Sequence, residues 1–457
     1  MGSTSDRSHG VGLVRASRAV RDAVEDGGVS YAREHAPPRP VSAAAVPLAL
    51  AIGAVAASCA PDRPDIDQFP IALDREAGPV MIAASFGEGS PAAAVIDVLS
   101  PQTARIVPGA EATRRRGEVT IYNRLIPGQA PVARARFGGA TIYDYDPCDG
   151  GDEPCLVGLG DAAVPYEAVI GTDLLADLAL SFDFGQGDVR LYPDIPLGDF
   201  DHGLMCTAVF RGPYSGGGTL IVDGAEDGFE GRRAALGACM GFAESGADSG
   251  RGANALLLLS TGAGVTVLGE SAYARYRSRS NAPPSSELPA DTLHLPYGSI
   301  QARIGEVSDL SLAAGASDER GPCSEVYTHR IMHRGGCERA GVDACPCPDG
   351  NDSCRAGAVV DIDGPIQVAV IADDHPLLQS LRSEVQPALP DVDGILGAGA
   401  LANLRLDLDY PNDRILVSCS GQYEGEDRAD GCRVHPALAS ADAREVVDHC
   451  PAPPGPD

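Results

Sequence analysis

Two stretches of this chain, 226 residues apart, are written in the same grammar. Val169–Tyr192 reads VIGTDLLADLALSFDFGQGDVRLY and Ile395–Val417 reads ILGAGALANLRLDLDYPNDRILV. Laid on each other, they set Gly171 on Gly397, Leu175 on Leu401, Leu178 on Leu404, Asp183 on Asp409 and Phe184 on Tyr410. In the first copy Gly171 opens a corner, and Leu174, Leu175 and Leu178 share one face of a short helix. Leu180, Phe182 and Phe184 then alternate with Ser181 and Asp183, the period of a half-buried strand. Gly185-Gln186-Gly187-Asp188 turns the chain into a return strand; the second copy turns through Pro411-Asn412-Asp413. A solenoid needs three or more repeats, so two copies of this length describe a fold of two related halves. The plainer alternative is two unrelated strand–helix–strand corners.

Around these anchors the chain is rich in turns. Its 457 residues include 55 glycines and 36 prolines with few long helical patterns, which favours an all-β fold with short helices. The formal charge is −29, and the chain holds no lysine; its bases are arginines and nine histidines. Such a surface repels nucleic acid and anionic membrane, so neither is an expected direct partner.

Residues 1–40 carry arginines and no periodicity. Val41–Ser58, VSAAAVPLALAIGAVAAS, is uncharged and ends in small residues before Cys59. A basic region, a short apolar run and a small-residue cut describe a secretion signal. With cysteine at the cut, Ala56-Ala57-Ser58-Cys59 resembles a bacterial lipobox, with Ala56 where leucine is usual. The resemblance implies export and a lipid on Cys59 that anchors the chain to the cell envelope; Ala60 after it favours the outer membrane. The alternative is an uncleaved anchor, which eighteen uncharged residues including Pro47 would barely supply.

Cysteine usage agrees with export. Cys59 aside, twelve of the 13 cysteines remain, an even set that reads as disulfides in an oxidising compartment. Cys148 with Cys155, around an acidic glycine-rich loop, is the expected local pair. Five cysteines lie between Cys323 and Cys354, so at least one pairs outside that region. Cys432 and Cys450 are expected to pin the tail. The same region holds His329, His333 and Cys337 at i, i+4 and i+8, a metal-ligand spacing on a helix. Arg330 stands where a zinc protease has its glutamate, and exported thiols pair with each other, so no metal and no cofactor are expected.

Ahead of each corner an apolar strand delivers a polar residue. Ala92-Ala93-Ala94-Val95-Ile96 ends at Asp97, followed by Val98-Leu99-Ser100. Leu256-Leu257-Leu258-Leu259 ends at Ser260, followed by Thr261-Gly262-Ala263. From about residue 70 to 418 the chain resembles pepsin-like and retropepsin-like aspartic proteases. In that family each lobe has a strand ending in Asp-Thr/Ser-Gly, followed later by an apolar-apolar-Gly segment, a helix and a strand pair. The resemblance implies a bilobal β fold with a central cleft. It divides the chain into a leader (1–58), a tether (59–69), a first lobe (70–195), a second lobe (196–420) with a cysteine-rich insertion (317–358), and an acidic tail (421–457).

The chemistry of that family needs two carboxylates sharing one proton, which divide the acid and base roles because like charges so close cannot both ionise. This chain departs from the pattern twice. Asp97 keeps its acid, but Val98-Leu99 replace Thr-Gly; Thr261 and Gly262 are kept, but Ser260 replaces the acid. A serine hydroxyl cannot serve as the second carboxylate. The expected molecule is therefore a non-catalytic member of the fold whose cleft binds a peptide or protein. Tyr122 and Tyr297 are candidate binding residues on cleft-covering hairpins. The acids of Val359–Asp363 read as exposed turn residues, and His294 is the one histidine near enough in sequence to be weighed as a base for Ser260. Two rivals stay open: an active endopeptidase in which Asp97 meets another carboxylate, and a structural surface protein acting through its insertion.

Overall fold

The computed structural model describes residues 65–66, 71–72, 78–123, 130–148, 154–192, 207–222, 225–241, 252–313, 322–323, 356–362, 364–385, 389, 392–420 and 432–436. The chain divides into two compact units, Met1–Arg63 and Pro64–Asp457, and every described residue belongs to the second. Strands dominate. The leader, Cys59, most of the cysteine-rich insertion including His329, His333 and Cys337, and Cys450 lie outside the described residues. No helix among the described residues is long and apolar enough to cross a membrane.

The first sheet is built from β1 (Asp65–Ile66), β3 (Met81–Phe86), β4 (Ala92–Ile96), β5 (Ala104–Ile106), β6 (Thr113–Tyr122), β7 (Ala133–Tyr145) and β10 (Ala168–Ile170); β2 is Ile71–Ala72. Six of them form a closed circuit: β3–β4 antiparallel, β4–β10 parallel, β10–β5 antiparallel, β5–β7 parallel, then β7–β6 and β6–β3 antiparallel. β1, from the segment read as a tether, adds to β7 with Asp65 opposite Arg136. Between β7 and β10 the chain makes a short excursion, β8 (Leu156–Leu159) and β9 (Val164–Pro165).

The same circuit returns with different strands. They are β16 (Ala235–Met240), β17 (Ala253–Ser260), β18 (Thr266–Gly269), β20 (Gly298–Val307), β21 (Leu310–Ala313), β23 (Ile366–Ile371) and β24 (Gly394–Gly397). β16–β17 is antiparallel, β17–β24 parallel, β24–β18 antiparallel and β18–β23 parallel; β23 then pairs with β20, whose continuation β21 returns to β16. The duplication seen in sequence at the corners thus extends through six matching strand pairings in each circuit.

The repeated corners themselves fold alike. Helix α1 (Thr172–Leu175) leads to β11 (Ala179–Asp183) and β12 (Asp188–Tyr192); the second copy leads to β25 (Leu404–Asp409) and β26 (Arg414–Cys419). A Cβ on Gly171 would sit 2.3 Å from the Gln102 carbonyl oxygen, and one on Gly397 would sit 2.4 Å from that of Val265. Each corner needs glycine because backbone passes against it. Gly187 and Asp413, equivalent in the repeat, both take left-handed φ values, 74° and 52°.

β11 pairs with β25 antiparallel, Leu180 opposite Leu408, Ser181 opposite Asp407 and Phe182 opposite Leu406. Under the repeat Ser181 is the equivalent of Asp407, so the register is symmetric about that one pair. With β2 on β12 and β13 (Thr207–Arg211) on β26, six antiparallel strands run β2-β12-β11-β25-β26-β13. Because β11 is central in this layer, Ser181 is buried with Leu180 and Phe182, and the strand is not half-exposed as its alternation suggests.

Three further pieces belong to the second circuit's surroundings: the hairpin β14 (Tyr214–Val222) and β15 (Ala225–Arg233), helix α2 (Glu270–Arg277) with β19 (Ala290–Leu295), and β22 (Ala356–Ile362) followed later by helix α3 (Pro376–Val385). The tail contributes β27 (Cys432–Pro436), paired with β22 and joined by Cys419–Cys432. Cys148–Cys155 closes the expected local loop, and Cys323 pairs outside its own cluster, with Cys239.

Candidate functional site

The two circuits present their strand ends at equivalent places. In one, Ile96 of β4 lies beside Ile170 of β10; in the other, Leu259 of β17 lies beside Leu396 of β24. Ile170 and Leu396 are equivalent in the repeat, so the next residues, Asp97 and Ser260, occupy matching positions.

They meet. The Ser260 hydroxyl donates to Asp97 Oδ1 at 2.8 Å. The same oxygen accepts the backbone N–H of Gly262 at 3.2 Å and of Leu99 at 3.0 Å, while Oδ2 accepts the Ser100 hydroxyl at 2.9 Å. Ser260 Oγ in turn accepts the N–H of Ala263 at 2.9 Å. Among the described residues no other carboxylate hydrogen-bonds to Asp97. Its negative charge is met by four donors, which is how a buried carboxylate is kept stable, and not by a partner able to hold a shared proton.

Thr261 clasps the opposite strand end. Its hydroxyl donates to the Ile96 carbonyl at 2.7 Å and accepts the Val98 N–H at 3.2 Å. The clasp is one-sided, since Val98 has no hydroxyl to return it. Val98 and Leu99 are instead fully packed into the apolar core. Gly262 is required by close approach: a Cβ there would lie 2.8 Å from Asp97 Cβ and equally close to Pro296 Cγ.

Asp97, Ser260 and Thr261 expose none of their surface. Two parts of the chain cover them. On one side the turn between β19 and β20 brings Pro296 against Gly262, and the buried Tyr166 donates its hydroxyl to the Pro296 carbonyl at 2.9 Å. β8 pairs with β19, Leu159 opposite Leu293 and Gly158 opposite His294, so the excursion between β7 and β10 joins a strand beside the second circuit. On the other side Gly231 of β15 lies against Pro101 and Thr172, and the buried Arg233 donates to the Leu99 carbonyl and pairs with Glu384 of α3.

The tyrosines around this centre are affected by its burial. Burial pushes the Tyr145 hydroxyl up to about 12, with the Asp97 charge adding to it. Tyr297 is raised well above the ordinary tyrosine value by burial first and Asp97 second. Its hydroxyl lies near that of Ser260 without reaching hydrogen-bond geometry and has no partner among the described residues. Tyr166 and Tyr410 are raised for the same leading reason.

The other sequence candidates fall elsewhere. Tyr122, half-buried on β6, shares a 3.0 Å hydroxyl–hydroxyl bond with Ser85 of the neighbouring β3. His294 Nδ1 bonds Ser299 at 2.8 Å, and no hydrogen bond links it to Ser260. Asp361, expected in an exposed turn, is buried within β22 and accepts the Ser311 hydroxyl at 2.6 Å, because β22 runs between β21 and β27. Asp146, Cys148 and Cys155 cluster at metal-ligand distances, but the two sulfurs are bonded to each other. Arg233, Glu384, Tyr166 and Pro296 were not singled out from sequence. Arg233 meets partners 134 and 151 residues away, so no local pattern marks it.

No family model and no curated protein sequence matches this chain. Among solved structures it is similar to an aspartic proteinase from Irpex lacteus, with 11% identity over 78% of this chain and 98% of that one, at a TM-score of 0.32. It is also similar to basic 7S globulin from soybean, with 12% identity over 79% and 97% of the two chains, at a TM-score of 0.37.

Proposed function

We propose that this chain is a non-catalytic protein of bilobal, pepsin-like design, exported as a lipoprotein on Cys59 to the outer membrane, whose inter-lobe groove receives an extended peptide. One observation carries the non-catalytic reading: a serine hydroxyl donates to Asp97 at the place where a proton-sharing carboxylate would be needed. Losing one member of such a unit removes most of its rate. The repeated strand circuit and the symmetric β11–β25 register support the bilobal reading. The peptide reading is supported by β19, an extended segment of the chain itself that lies over Asp97 through its turn and pairs with β8.

The test is digestion of a mixed peptide substrate from acid to neutral pH, with and without pepstatin. We expect no pepstatin-sensitive cleavage, and none lost on Asp97→Asn. Cleavage that is both inhibited by pepstatin and abolished in that variant would establish the active endopeptidase instead.

A further inference from the structure

One of the two covers over Asp97, the β19–β20 turn, is tied back through β8 to a disulfide. β8 begins at Leu156, directly after Cys155, and Cys155 is bonded to Cys148, three residues beyond β7. Asp146 fixes the first cysteine: its carboxylate accepts the Cys148 N–H at 2.9 Å and the Gly109 N–H at 2.7 Å. The second is fixed by Tyr166, whose N–H donates to the Cys155 carbonyl at 3.0 Å. From this clasp β8 reaches Leu293 and His294 of β19, while Tyr166 reaches Pro296, which rests on Gly262 beside Asp97. Gly160 follows β8 at a φ of +50°, a left-handed conformation that favours glycine. The β11–β25 pairing takes no part in this chain of contacts.

The clasp differs from the other two described disulfides in access. Cys239, Cys323, Cys419 and Cys432 are all buried, and so is Cys155, whereas Cys148 is half-exposed and is the end an attacking thiolate can approach. Thiol–disulfide exchange needs a sulfur that an attacking thiolate can reach, so Cys148–Cys155 is the one of the three open to it.

We propose that β8 and the β19–β20 turn form a strap closed over Asp97, that Cys148–Cys155 is its clasp, and that reducing this disulfide frees β8 to pair with an extended peptide in place of β19. The reductant is a dithiol. It supplies two electrons and two protons, the S–S bond breaks to give two thiols, and the reductant closes to its own disulfide. The ligand is a strand that adds to β8 through its backbone, with buried leucine positions like those of Leu293 and Leu295 giving selectivity. The ligand part rests on the peptide-binding reading above; the clasp part does not.

The experiment compares the oxidised full chain with a Cys148→Ser/Cys155→Ser variant by hydrogen exchange. It also measures binding of a labelled synthetic peptide of the chain's own sequence 290–298, ADTLHLPYG, by fluorescence anisotropy. Amides of 156–159 and 293–295 should exchange about tenfold faster or more in the variant, with β11 and β25 unchanged, since a local opening leaves the remaining structure protected. The peptide should bind the variant, or the wild type after dithiol treatment, about tenfold more tightly than the oxidised protein. Tyr166→Phe, which keeps the disulfide but removes the hydroxyl that holds Pro296, should speed exchange at the same amides. A Cys419→Ser/Cys432→Ser variant should leave the strap closed. Unchanged exchange at the strap, or acceleration of all strands together, overturns the clasp. A strap that opens without taking the peptide overturns the ligand part and the peptide-binding reading while the clasp stands.

Discussion

Replacing Ser260 with aspartate would put two carboxylates into a site sealed from water. Two such charges at hydrogen-bond distance cannot both ionise, so one acid would be held protonated well above its ordinary range. An acid whose folded value is raised contributes stability below its unfolded value and loses it as pH rises through the folded one. Ser260→Asp should therefore be stable near about pH 4 and clearly weakened near about pH 8, which denaturant melts at the two values would measure. Wild type has a smaller acid-favoured step of its own, since burial raises Asp173 to about 6 and also raises Asp407, so the variant's step is read as the excess over wild type. At this scale Asp97, Ser260, Thr261 and Gly262 were legible because each stands where an apolar strand ends, a local signal. Arg233 and Tyr166 were not, since what defines them is a partner on a distant strand.

Among the elements, the glycine corners carry the clearest expectation. Gly171→Ala or Gly397→Ala would drive a methyl group into a backbone carbonyl, which a side-chain rotation cannot relieve. Each should cost about 1–3 kcal/mol or more in denaturant unfolding. Gly89→Ala, where the nearest atom is 3.5 Å away on an exposed turn, should change little. The corners were readable in sequence because backbone crowding forces glycine at both. The burial of Ser181 and Asp361 was not, because alternation reports only one strand, whereas covering layers come from elsewhere in the chain.

For the molecule as a whole, the three disulfides among the described residues should rank by the loops they close. Cys239–Cys323 spans 84 residues, Cys419–Cys432 spans 13 and Cys148–Cys155 spans 7. Chain entropy gives about 4–5 kcal/mol for the first and about 2 kcal/mol for the last, so paired Cys→Ser variants should lose stability in that order in thermal melts. The alkaline limit follows from the buried tyrosines. Unfolded tyrosines ionise near 10, whereas Tyr145 holds its proton to about 12, so stability is intact below the ordinary value and falls as pH rises between the two. Tyrosinate absorbance should then rise together with unfolding. Asp97→Asn should let part of it appear earlier, because the Asp97 charge helps to hold these protons. The strand-rich class and the internal duplication were evident from the sequence. The strap was not, since nothing local in β8 names β19 as its neighbour.

The β11–β25 register, centred on Ser181 and Asp407, carries a consequence of its own. A strand that meets its own counterpart about a single residue pair could equally meet an identical copy of itself. The segment up to Tyr192, made as a separate polypeptide, would then have a ready route to self-association, Ser181 facing Ser181, with Phe182 and Leu180 exchanging places across the join.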